Sequence, residues 1–294
     1  MNTTKELRLR QLPLWKGGIA LAPLRGGLSN TSYVVTDGAG RHVARFGDDY
    51  PFHEVSRERE LMAARASHEA GFSPAVEYAE PGLMIMAYVD GKPMRPEDVR
   101  ADPPRIAELL RRFHTTMPKK VSGTAYLFWV FHVIREYART LQKGGSRMIK
   151  ELPFYVALAD ELEQAQTPLP IVYAHNDLLP NNLIDDGRRL WLIDFEYSGF
   201  STAMFDLAGV AANSGMTDEQ SKALLEAYFE APPAEDILRS HAAMQCAALL
   251  REAMWSLVSE LYLKAPGADY VAYTADNLAR LQDALANYRA KYPR

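Results

Sequence analysis

Strand signals fill the first part of the chain. β-branched and aromatic residues crowd 32–36 and 42–46, and "DGAG" at 37–40 separates them, which predicts a β-hairpin. Residues 54–70 have helical character and run into Gly71, a favourable residue just past a helix end. Pro74 leads into a short strand at 75–79, and the "PG" turn at 81–82 leads into the apolar run 83–89.

Beyond "DG" at 90–91 the pattern changes. Residues 103–114 form an amphipathic helix closed by Pro118, and 126–142 and 154–166 continue the helical pattern. Two short apolar strands around a "DDGRR" turn at 185–189 interrupt it, and 218–229, 234–263 and 270–288 resume it. The pattern predicts an α+β chain: a small strand-rich lobe over 1–89 and a larger, mostly helical lobe over 90–294. A cleft between two such lobes is a common place for a ligand.

Composition narrows this only a little. A chain of 294 residues can bury a core without disulfides or a structural metal. The single cysteine, Cys246, lies in an apolar run and reads as a buried, inert thiol. With a net charge of -4 and scattered Lys and Arg, no nucleic-acid footprint is expected. No apolar run suits a signal peptide or a membrane span, so the expected location is the cytoplasm, with no membrane partner. The pattern leaves the oligomeric state open.

The chemistry concentrates in "AHNDLLPNNLIDDGRRLWLIDFEYSG", residues 174–199. His175-x-Asp177 is followed five residues later by Asn182, and the next hairpin ends in Asp194-Phe195-Glu196. Carboxylates at the edges of apolar strands are costly unless something compensates them. A divalent cation held by oxygen ligands would do so. The spacing matches the catalytic loop and the Asp-Phe-Gly metal site of protein kinases. Taken singly, each residue could instead be a cap or a turn residue.

"HNDLLPNNL" and "LIDFEYSG", with "FDLAG" at 205–209, resemble the choline/ethanolamine kinase family, within the aminoglycoside-phosphotransferase-like kinases of the protein-kinase-like superfamily. The likeness runs from about Leu24 to Leu281. It implies a two-lobed kinase-like fold with Asp177 as catalytic base, Asn182 and Asp194 as ligands of Mg²⁺ on ATP, and His175 and Asp206 as braces of the loop. In "LRGGLSNTSYVV", Gly26, Gly27, Ser29 and Asn30 would cover the ATP phosphates, the alternative being a plain hairpin turn. Arg45 would pair with phosphate and with a helix carboxylate, Glu58 being favoured over Glu60. The backbone of Ala87 and Val89 would meet adenine, with Met86 beside the ring.

For the acceptor, the resemblance implies a site built from Glu196, Phe200, Trp255 and Tyr273. Glu252 stands where many family members carry a second tryptophan of the cation cage. On helical spacing alone, Trp255 and Tyr273 read as core aromatics. The implied activity is transfer of the γ-phosphoryl group of ATP to the hydroxyl of choline, ethanolamine or a related amino alcohol. An aminoglycoside or thiamine kinase of the same fold, or a catalytically inactive nucleotide-binding relative, is the alternative.

Overall fold

Five strands, Ala20–Leu24 (β1), Thr31–Thr36 (β2), Arg41–Phe46 (β3), Val76–Glu80 (β4) and Leu83–Ala87 (β5), form an antiparallel sheet in the order β1-β2-β3-β5-β4. They belong to a computed structural model that describes residues 3–24, 30–263 and 268–293. Successive side chains leave a strand on opposite faces. Tyr33, Val35, Ala44, Phe46, Leu83 and Ile85 enter a small core that helix Thr4–Gln11 (α1) closes with Leu9. Val34, Val43, Arg45, Met84 and Met86 leave the other face, where the register sets Val43 opposite Met86 and Arg45 opposite Met84.

The helix expected from residue 54 runs instead over Arg57–Glu69 (α2). Pro51–His53 makes a short 3-10 turn, Glu54 takes a left-handed conformation at φ 57°, and Ser56 caps the helix by accepting from Arg59 N–H. Tyr50 and Val55 close this segment by exchanging backbone hydrogen bonds. It plugs into the helical core: Val55 is buried there, Tyr50 and Phe52 pack on it, and His53 bonds Tyr137 Oη and Ser259 Oγ at 3.2 and 2.9 Å.

Strand Lys92–Pro93 (β6) and helices Pro96–Ala101 (α3), Pro103–Thr116 (α4), Val130–Gly144 (α5) and Leu152–Gln164 (α6) follow. Then come strands Ile171–Ala174 (β7), Leu183–Asp185 (β8), Leu190–Leu192 (β9) and Gly199–Thr202 (β10). Helices Ala203–Ser214 (α7), Asp218–Phe229 (α8), Glu235–Tyr262 (α9) and Tyr270–Lys291 (α10) complete the order. β10 pairs with β7 in one small sheet, and β8 pairs with both β6 and β9 in another, and these sheets carry the loops of the site.

α9 packs against α5, α6, α7 and α10, so it is buried on nearly all sides from Ser240 to Ser259. Cys246 lies there, and burial pushes its thiol up to about 12. Helices α1, α3 and α7 and strands β6 and β10 were not predicted. α7 is buried nearly all round, so it carries little amphipathic signal, and the others are short. No helix among the described residues is long and apolar enough to cross a membrane.

His42 lies on β3 between Glu77 and Asp37, at 2.5 and 3.2 Å. Burial alone would lower its pKa, but the bonds and charges of Glu77 and Asp37 outweigh burial and raise it above 6.5. A raised folded pKa stabilises fully below the unfolded value, and the effect is lost as pH rises through the folded pKa. The stability gap between wild type and His42→Gln is therefore expected to be widest near pH 6 and to narrow towards about pH 9. Urea unfolding at both pH values checks this; a gap independent of pH contradicts it.

Candidate active site

The loop after β7 is held by a carboxylate from the first turn of α7. Asp206 accepts the backbone N–H groups of His175 and Asn176 at 2.8 and 2.7 Å, and His114 Nε2 donates to it at 2.9 Å. Burial would raise the Asp206 carboxyl, but the His114 hydrogen bond and the charges around it hold it below the usual range. The His175 imidazole donates through Nε2 to Ile193 C=O at 2.9 Å, and burial lowers its pKa. Asn176 is left-handed at φ 62°, with its side-chain amide on Tyr197 C=O at 3.1 Å. Asp206, Ile193 and Tyr197, all beyond the β8–β9 hairpin, thus fix the two residues before Asp177.

Asn182 donates its amide to the Asp177 carbonyl at 2.9 Å, and Ile193 N–H donates to Asn182 C=O at 3.1 Å. The hairpin therefore returns Asp194 beside Asn182. Among the described residues Asn182 Oδ1 makes no hydrogen bond, since its NH₂ is the anchored end. Asp194, left-handed at φ 71°, accepts Arg45 Nη1 through Oδ1 at 2.5 Å. Burial raises its carboxyl, but the charge and hydrogen bond of Arg45 bring it below the usual range. A carboxylate and an open amide oxygen are hard donors that suit Mg²⁺.

Glu60, Asp194 and Glu196 also bring their carboxylate oxygens within 4.8 Å of one another. Guanidiniums already occupy that group. Arg45 pairs with Glu60 and Asp194, and Arg57 Nη1 lies 2.7 Å from Glu60 and 2.9 Å from Glu196. Asn30 joins it, donating to Glu196 at 3.1 Å and accepting Arg57 Nη2 at 2.9 Å. The approach depends on Gly47, where an added Cβ would lie 2.8 Å from Arg57 Cζ. Glu60, not the expected Glu58, is the partner of Arg45. Glu58 is exposed, because α2 turns Glu60 inward and Glu58 out. Gly26, Gly27 and Ser29 lie outside the described residues.

On the other side of Asp177 stands Arg251, 1% exposed, with Nη1 on Glu252 and 3.5 Å from Asp177 Oδ1. Its guanidinium lies 4.3 Å from the Tyr197 ring centre. Tyr273 donates its hydroxyl to Glu252 at 3.1 Å. Burial, with Glu252, Asp194 and Glu196 nearby, raises the Asp177 carboxyl well above the usual range despite Arg251.

Trp255 is committed to neighbours on one ring face and at its N–H. It is 6% exposed, its ring stacks on His53 at 5.2 Å, and its N–H donates to Tyr197 Oη at 2.8 Å. Phe200 lies apart from this group. It lines a separate cavity of about 150 Å³ with Arg59, Met62, Tyr126 and Tyr173, because β10 turns its side chain towards α2. The cleft face of the sheet presents half-buried Val34, Val43 and Met86. The Ala87 N–H is taken by Ala75 C=O at 2.9 Å, whereas Val89 N–H has no partner among the described residues.

Sequence reasoning missed Arg57, His53, His114 and Arg251. Arg251 had a visible signal, a paired charge inside an otherwise apolar helical run. His53 and His114 act through contacts distant in sequence, and Arg57 adds to its i,i+3 pair with Glu60 a distant one with Glu196, which no local pattern records.

The model of the phosphotransferase enzyme family matches residues 20–241. The chain is similar to the probable ethanolamine kinase of Arabidopsis thaliana, 26% identical over 52% of this chain and 44% of that one. It is similar to the choline/ethanolamine kinase of Rattus norvegicus, 25% identical over 64% of this chain and 53% of that one. The chain thus spans about half the length of the curated relatives it matches. Among solved structures, a choline/ethanolamine kinase family protein from Mesorhizobium loti superposes with a TM-score of 0.78 at 27% identity, covering 96% of this chain and 94% of that one.

Replacing Asp206 strands two backbone donors and a buried histidine. Asp206→Ala is expected to lower stability by about 3 kcal/mol. Urea unfolding measures it, and a loss under about 1 kcal/mol would contradict the bracing role.

Proposed function

The chain belongs to the phosphotransferase enzyme family, and on that premise we propose that it moves the γ-phosphoryl group of ATP to the hydroxyl of a small amino alcohol, choline, ethanolamine or a close analogue. The observation that carries this reading is the meeting of Asp177, Asn182 and Asp194 around one braced loop. The likeness to choline and ethanolamine kinases supports the acceptor class.

In this reading the Asp177 carboxylate orients the acceptor hydroxyl and takes its proton. The acceptor oxygen bonds to the γ-phosphorus as the bond to the bridging oxygen breaks, and ADP leaves. The transition state is largely dissociative, so positioning and charge compensation carry most of the catalysis. Asn182 and Asp194 would hold Mg²⁺, which when bound supplies neutralisation of the phosphate oxygens. Arg45, paired with Asp194, would share the nucleotide's charge. Val34, Val43 and Met86 would offer an apolar surface to the adenine ring, and Val89 an N–H that has no partner among the described residues. The raised pKa of Asp177 suits a group that must accept a proton.

Asp177→Asn is expected to lower kcat at least ~10²-fold while nucleotide affinity changes little, because the side chain keeps its shape and loses only its basicity. Coupled assays of ADP release and nucleotide titration separate the two quantities. Turnover equal to wild type would remove Asp177 from the base role.

A further inference from the structure

We propose that Glu252, fixed by Arg251 and Tyr273, recognises the acceptor's amine and selects nitrogens that carry N–H groups over quaternary ammonium. This rests on the amino-alcohol reading above and names the acceptor more closely.

A quaternary ammonium has no hydrogen to donate, so a protein holds it by aromatic faces. Here those faces are largely spent. Trp255 is buried, His53 covers one face of its ring, and its N–H is committed to Tyr197. Burial, with the Arg251 charge, keeps His53 neutral, so it can stay stacked within the core. The position one helical turn before Trp255 carries Glu252 rather than another ring.

Glu252 is held in place from two directions. Its Oε1 accepts Arg251 and its Oε2 accepts the Tyr273 hydroxyl. A carboxylate fixed this way still has free lone pairs and can accept from an ammonium N–H at little entropic cost. Arg251 lies 1% exposed behind both acids, so it compensates their charge without facing the acceptor. Arg251 Nη1 approaches both Glu252 Oε1 and Asp177 Oδ1. Two carboxylates sharing one guanidinium nitrogen are close enough for a hydroxyl on one and an amine on the other, separated by a two-carbon chain.

The test measures kcat/KM for ethanolamine, N-methylethanolamine, N,N-dimethylethanolamine and choline with the unaltered protein, then with Glu252→Gln. Efficiency is expected to fall along the series, with choline at least about tenfold below ethanolamine, as for a site built to hydrogen-bond its substrate. In Glu252→Gln the ethanolamine advantage should shrink about tenfold, mostly through KM. Choline used as well as ethanolamine, or a preference unmoved in Glu252→Gln, overturns the inference and leaves the amino-alcohol reading standing. No turnover with any of the four overturns both.

Discussion

Charge compensation at the seam between the sheet and the helices governs the rest of the molecule. Arg45 and Arg57 reach from β3 and α2 to Glu60, Asp194 and Glu196, most of them buried. Removing such groups from water costs several kcal/mol per ion, and close pairing is what offsets it. An ion network of this kind adds little net stability, but it fixes where its members stand. Asp194 is thereby held at one place, next to the open oxygen of Asn182. The plug at Tyr50–Val55 reinforces the same seam by apolar packing, with His53 bonded into the helical core.

The site is a set of short, costly loops supported by well-packed elements. Asp206, on a buried helix, holds two peptides of the loop after β7, and His175 ties that loop to the strand before Asp194. Left-handed Asn176 and Asp194 are tolerated because their neighbours are bonded on both sides. On the side of the proposed acceptor site, the long buried α9 brings Arg251 and Glu252 beside Asp177. One helix therefore sets both the charge and the shape of that wall.

Much of this was legible in the sequence, and the exceptions have physical causes. The hairpin at the start, the short strands around the "DDGRR" turn and the long terminal helices follow from local pattern. The motif at 174–199 placed Asp177, Asn182 and Asp194 near one another because a tight loop and a hairpin bring them together. The choice between Glu58 and Glu60 failed because it depends on the rotation of α2, which starts only after the turn at Pro51–His53. Phe200 lines a cavity with Arg59 and Met62, because β10 pairs with β7 and turns its ring towards α2. The links of Arg57 to Glu196 and of Arg251 to Asp177 were hidden because they depend on partners far along the chain.

The most direct test of this arrangement is a crystal structure with a non-hydrolysable ATP analogue and Mn²⁺ in place of Mg²⁺, with the metal located by anomalous scattering. The account predicts a metal peak between Asn182 Oδ1 and the Asp194 carboxylate, with Asp177 facing the terminal phosphate. A peak confined to Glu60 and Glu196, or Asn182 turned away from the nucleotide, would contradict it.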